Sequence, residues 1–265
     1  MLFWLASYPR SGSNFFVAAL TSLTGVPLTF VENCEPLMRH LMGNASVEAL
    51  HEERERIAET AARVKKAGTA PAEAPVYPEG PAWSQRPVKE QLADPKAYML
   101  KTHCPPTETE LPAIYIVRDG RDVLVSYANF SPIFDPAYRK PPELFRRHLE
   151  MRMRDGVPRY GTWSENVEPW LDRPNTHIIH FADMVADPIA SVEQAIEALR
   201  LPLEIKGRNV PTFDELRAKA PLHYRRGKVG SWRDEFPADL LPEFWERHGH
   251  VMQRLGFEEE QRASA

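Results

Sequence analysis

Eight residues, Ser7-Tyr8-Pro9-Arg10-Ser11-Gly12-Ser13-Asn14, separate an apolar strand-like run, Leu2–Ala6, from an apolar helix-like run, Phe15–Leu23. A connection that short turns the chain tightly from strand to helix, and Thr24-Gly25 supplies the helix stop. Ser-Gly-Ser at a helix start presents backbone N–H groups and hydroxyls at the positive end of the helix dipole, which suits an anion. Arg10 adds a formal charge beside it. The loop is not the nucleoside-triphosphate type, because G-x-x-x-x-G-K-[ST] needs glycine at Ser7 and lysine at Ser13. By itself it reads equally well as an ordinary capped helix start. The formal net charge of −4 steers the chain towards neither nucleic acid nor an anionic membrane, so any anion site must be built locally.

Downstream, Tyr98–Lys101, Ala113–Val117 and His177–Phe181 read as short strands. Asp122–Phe130, Pro142–Asp155, Ile189–Leu199 and Phe244–Leu255 read as helices, and another, capped by Asn44 or Ser46, runs to Lys66. The charge run Glu52–Arg56 is a solvated helix face. Ala, Pro and Glu dominate Ala67–Pro95, which predicts an irregular excursion, and Ser131–Pro142 is a second Pro-rich loop. Short strands alternating with helices predict an α/β fold with a mainly parallel central sheet flanked by helices. A length of 265 residues suits one such domain.

Three further segments carry chemistry. Arg118-Asp119-Gly120-Arg121-Asp122 follows Ala113–Val117 directly, so Arg118 sits at the carboxyl end of a strand, where open α/β sheets keep their ligands. An arginine there suits direct phosphate binding, whereas a magnesium-dependent NTPase places an aspartate. Ser126 on the following helix can add a hydroxyl, while Arg121 and Asp122 read as plain helix-start charges. Tyr224-Arg225-Arg226-Gly227-Lys228-Val229-Gly230 describes a basic, flexible loop able to close over a phosphate. Lys101-Thr102-His103 ends another strand and sets a histidine beside a cation, as a general base near an anion would be. Basic surface loops and lone histidines are common, so neither segment decides anything alone.

In order and spacing the four segments resemble the sulfotransferases that use 3′-phosphoadenosine 5′-phosphosulfate (PAPS), particularly the cytosolic type. That family reads Tyr-Pro-Lys-Ser-Gly-Thr, Lys-Thr-His-Leu-Pro, Arg…Ser and Arg-Lys-Gly. Tyr160-Gly161-Thr162-Trp163, Phe181-Ala182-Asp183-Met184 and Val210-Pro211-Thr212-Phe213 also resemble family segments, and the likeness is weakest over residues 30–97. It implies a single sulfotransferase domain over 1–265 with a P-loop-NTPase-like fold. It further implies PAPS as donor, Arg10, Ser11, Gly12, Ser13 and Asn14 on the 5′-phosphosulfate, and Phe15 stacked on adenine near Phe181 and Phe213. Arg118, Ser126, Arg225, Arg226 and Gly227 would hold the 3′-phosphate. His103 would be the base, with Lys101 and Arg10 completing the catalytic group. Arg10 replaces the family's lysine, Phe181 a tyrosine and Pro211 a threonine, and the dimerisation segment of the animal enzymes is not visible.

The acceptor is expected to be a small molecule or saccharide offering a hydroxyl or amine. Its pocket is expected from residues 30–97 and 129–157, with Phe130, Phe134, Tyr138, Trp83 and Tyr77 serving equally as walls or as core packing. A P-loop kinase shares the opening turn, but the missing lysine and Arg118 count against it; a non-catalytic nucleotide binder would not need His103. No carboxylate or His/Cys grouping suggests a metal. Cys34 and Cys104 have no zinc-type spacing and read as reduced thiols. Met1–Ala6 is too short for a signal peptide, and no run approaches the roughly 18 apolar residues of a membrane span. The expected compartment is cytoplasmic.

Overall fold

The computed structural model describes residues 1–30, 34–52, 55, 82–130, 142–221 and 223–259. Strands β1 (Leu2–Ser7), β2 (Leu28–Phe30), β3 (Tyr98–Thr102), β4 (Ala113–Val117) and β5 (Thr176–His180) form one sheet in the order β2-β3-β1-β4-β5. Every pairing is parallel. Besides the helical residues 44–52, the helices are α1 (Ser13–Thr24), α2 (Glu35–Met42), α3 (Val88–Ala93), α4 (Gly120–Phe130), α5 (Pro142–Arg154) and α6 (Trp163–Asp172). They continue as α7 (Phe181–Ala186), α8 (Pro188–Leu199), α9 (Phe213–Lys219), α10 (Trp232–Glu235) and α11 (Leu241–Arg254).

Strand side chains alternate between two faces, and both faces are covered. Phe3, Leu5, Met99, Ile114 and Ile116 pack with Phe16 and Leu20 of α1 and Val192 of α8. Trp4, Ala6, Leu100, Tyr115 and Val117 pack with Leu124 of α4, Trp163 of α6 and Phe244 of α11. β1, β3 and β4 are buried along their whole length, so the apolar runs of β1 and β4 are continuous rather than alternating, whereas the edge strands β2 and β5 are only partly buried. Gly25 closes α1 in the left-handed conformation, its N–H bonded to Thr21 O. Capping boxes start α6 at Thr162/Glu165 and α9 at Thr212/Glu215.

Three expectations change. Phe181 ends no strand; it is the first residue of α7. The described part of the Ala67–Pro95 excursion holds a 3₁₀ turn, Ala82–Gln85, and α3, tied together by the buried Gln91 amide, which donates to Ser84 O and Arg86 O. Residues 44–52 are helical, but Ser46 donates its hydroxyl back to Met42 O and Asn44 accepts from Arg39, so neither caps that helix. Among the described residues no helix is long and apolar enough to cross a membrane.

Phe16 is fully buried at the centre of the α1–sheet contact. Phe16→Ala should cost about 3–5 kcal/mol through lost burial and the cavity left behind. Urea unfolding checks this as a lower midpoint at unchanged m-value.

Candidate active site

Register places Ala6 beside Thr102 on β3 and Tyr115 on β4. The segments that follow Ser7, Thr102 and Val117 therefore leave the sheet at one edge, beside a β1 flanked by strands that come later in the chain, where open parallel sheets form a crevice. The turn into α1 depends on Gly12. Its φ is +99°, and a Cβ there would lie 2.5 Å from Phe181 Cδ2. Arg10 also takes a left-handed conformation, with φ of 73°, which is uncommon for a side-chain-bearing residue and stores strain. The Ser11 hydroxyl is buried with no hydrogen-bond partner among the described residues.

Arg118 leaves the end of β4 and lies over the Phe181 ring, 4.4 Å from its centroid. It donates to Lys228 O at 2.9 Å and to Arg10 O at 3.4 Å, while its buried Nε has no partner among the described residues. Arg10 donates from Nε to Ser126 Oγ at 3.3 Å and from Nη2 to His223 O at 3.1 Å. Its guanidinium sits 4.2 Å from the Phe130 ring centroid. Burial first, then the neighbouring Arg118, pull the Arg10 pKa down to about 10, so it stays cationic at neutral pH. Burial is also the main cause that lowers Arg118.

On β3, the Lys101 ammonium donates to Asn14 Oδ1 at the start of α1. His103 Nδ1 is 2.7 Å from Ser7 O. A carbonyl only accepts, so Nδ1 carries the proton and Nε2 is the basic nitrogen. Burial of the imidazole, and then the Lys101 charge, push its pKa down to about 3, which leaves it neutral at physiological pH. Asn166 fixes the backbone here: its Nδ2 donates to His103 O and Tyr160 O, and its Oδ1 accepts from the Tyr115 hydroxyl. Across the crevice Gly227 has φ of +63°, and a Cβ would meet Phe213 Cε2 at 2.6 Å. Arg225 and Arg226 both pair with Glu235, at 2.9 and 3.0 Å.

A family model described as "Sulfotransferase domain" matches residues 2–256. The chain belongs to the sulfotransferase domain family. It is 28% identical over 184 residues to mouse Sulfotransferase 1E1, covering 58% of this chain and 61% of the relative. To mouse Sulfotransferase 1A1 it is 24% identical over 201 residues, covering 62% and 65%. The chain thus spans less than two thirds of the length of these curated relatives. Mouse sulfotransferase SULT7A1 complexed with PAP shares the fold at a TM-score of 0.59 and 19% identity, over 95% of this chain and 84% of that one. Retinol dehydratase in complex with androsterone and PAP gives 0.54 and 18%, over 98% and 83%.

Within this sulfotransferase domain the residues read from sequence occupy one crevice edge. Direct contacts join Arg10 to Ser126, Arg118 to Arg10 O and Lys101 to Asn14, Phe181 lies against Gly12 and Arg118, and His103 is held next to β1 by Ser7 O. Phe15 is largely buried against the core. Phe130 faces the site through Arg10, whereas Trp83 is buried and stacked on Tyr98 at 4.0 Å, as core packing. Phe134, Tyr138 and Tyr77 lie outside the described residues. Arg121 and Asp122 are not plain helix-start charges. Arg121 is held by Asp119 at 2.8 Å and lies 3.8 Å from the Trp232 ring centroid; Asp122 is buried and accepts from the Gly230 and Trp232 amides. Sequence reading missed Asp122, Asn166 and Glu235, all of which touch site residues or their loops.

Gly12→Ala should destabilise the fold by on the order of 1–3 kcal/mol, the typical size of such backbone strain. Phe181→Leu in that background should recover part of the loss by removing the ring edge. Thermal unfolding of the single and double variants decides whether the ring contact is the cause.

Proposed function

We propose that the protein transfers a sulfuryl group from PAPS to the hydroxyl or amine of a small-molecule or saccharide acceptor, with His103 as general base. The observation that carries this reading is the tautomer of His103. Its Nδ1–H is committed to Ser7 O, which leaves Nε2 as the basic nitrogen, and an anionic donor bound against Lys101 and Arg10 would offset the charges that help to lower its pKa. The acceptor proton passes to Nε2 as the acceptor oxygen bonds to sulfur, and the bond from sulfur to the 5′-phosphate oxygen breaks in line. Charge then grows on the leaving phosphate, where Arg10, Lys101 and the α1 N-terminus offer preorganised stabilisation.

Two buried donors support phosphate binding: the Ser11 hydroxyl and Arg118 Nε, both without protein partners among the described residues. Ser11 to Asn14 would take the 5′-phosphosulfate; Arg118, Ser126, Arg225, Arg226 and Gly227 the 3′-phosphate; Phe15, Phe181 and Phe213 the adenine side. Ser126 can keep accepting from Arg10 while its own O–H turns to a phosphate oxygen. PAP in the related structures supports the same nucleotide. The acceptor side belongs to residues 30–97 and 129–157, with Phe130 as one wall. The reading treats 1–265 as a single domain acting in the cytoplasm without a metal.

Adenosine 3′,5′-bisphosphate should stabilise the protein far more than AMP or ATP, by about 2.7 kcal/mol at roughly 100 times its dissociation constant. Equal thermal shifts from AMP and the bisphosphate would remove the 3′-phosphate site, and Arg118→Ala should weaken the bisphosphate by roughly 1.5–3 kcal/mol. His103→Asn should lower kcat by roughly 10²–10⁴ with nucleotide affinity nearly intact. Near-normal turnover with a hydroxyl acceptor rules His103 out as the base.

A further inference from the structure

We infer that Asp122 is a positioning residue that holds the 3′-phosphate loop shut against Arg118, a role resting on the reading of Arg225–Gly227 as phosphate contacts. Asp122 sits in the first turn of α4 and is 1% exposed. Its Oδ2 accepts from the Gly230 amide at 2.8 Å and lies 3.5 Å from Arg118 Nη2. Its Oδ1 accepts from the Ser231 hydroxyl at 3.0 Å and the Trp232 amide at 2.8 Å. Arg118 in turn donates to Lys228 O at 2.9 Å. Residues 228, 230, 231 and 232 are thus stitched to the strand end and helix start that carry Arg118, immediately after Arg225–Gly227.

A buried carboxylate with this many donors is satisfied only while the loop stays closed, and opening the loop strands its charge. The loop is therefore ordered before the nucleotide arrives, which removes an ordering cost from binding. The chemical step does not involve Asp122, so donor affinity and turnover separate.

The test is Asp122→Asn, which keeps the size and loses the charge and half of the acceptors. The dissociation constant for adenosine 3′,5′-bisphosphate and the donor KM should rise about 10–100-fold, the equivalent of losing one charged hydrogen bond. kcat at saturating donor and the acceptor KM should hold within about twofold, and exchange of the Gly230 and Trp232 amides should accelerate in the unliganded variant. Unchanged bisphosphate affinity overturns the inference, and so does an equal loss in kcat and acceptor KM, the pattern of a general structural defect. If Asp122→Asn does not fold, Ser231→Ala removes a single contact and should weaken the bisphosphate several-fold at constant kcat; no change overturns the inference. Wild-type protein that ignores the bisphosphate but shows slowly exchanging Gly230 and Trp232 amides refutes the nucleotide reading instead. Rapid exchange of those amides in the unliganded wild type refutes the clamp itself.

Discussion

The site is organised around a three-layer contact: the backbone of Gly12, the ring of Phe181 and the guanidinium of Arg118. Each layer comes from a different strand end, β1, β5 and β4. The ring fills the space in which any other residue at position 12 would carry a Cβ, and so sets how closely the opening turn approaches β5. Arg118 then lies on the ring, and through Lys228 O it fixes where the basic loop crosses the crevice. Displacing the ring would disturb the helix start, the strand-end cation and the loop together.

Electrostatics explains why such a cluster wants an anion. The chain carries a net charge of −4, yet the charges of Arg118 and Arg225 help to lower Arg10, the charge of Arg225 helps to lower Arg118, and Lys101 and Arg159 act with Arg10 on His103. Burial is the larger cause, because it penalises each charge separately. Two carboxylates keep the cluster from flying apart, and they do different work. Asp122 binds the backbone of the loop, whereas Glu235 engages the Arg225 and Arg226 side chains that a phosphate would also seek. Hydrogen bonds from Arg225 and Asn129 outweigh burial and hold Glu235 below its ordinary pKa, so it remains an anion throughout.

Much of this was legible in the sequence because it is local. Apolar runs marked β1, β3 and β4 to within a residue, the Ser-Gly-Ser turn, Lys101, His103 and Arg118 all lie within a few residues of a strand end, and Ser126 lies on the helix that follows β4. What stayed hidden is long-range or too short to carry a period. β2 has three residues, Leu28–Phe30, and offers no alternation to read. Pro169 inside Trp163–Asp172 reads as a breaker, although the Thr162/Glu165 capping box marks that helix start. Asp122 and Arg121 looked like surface charges because a charged residue at a helix start usually is one. Their burial depends on Trp232 and Gly230, more than a hundred residues later, which no window along the chain can see.

Arg10 links the two halves of the site in a way a lysine would not. A lysine offers one point charge on a flexible stem, whereas the guanidinium is a planar fork with donors fixed in several directions. Here Nε reaches Ser126 on α4, Nη2 reaches the carbonyl of His223 before the basic loop, and the flat face rests on Phe130. The left-handed backbone at Arg10 aims the side chain across the crevice and lets its own carbonyl accept from Arg118. The residue beside the proposed reacting sulfur is thereby mechanically joined to the residues beside the proposed 3′-phosphate. In the proposed reaction, charge developing at one end of the donor would thus be met by a group already held in place by contacts at the other.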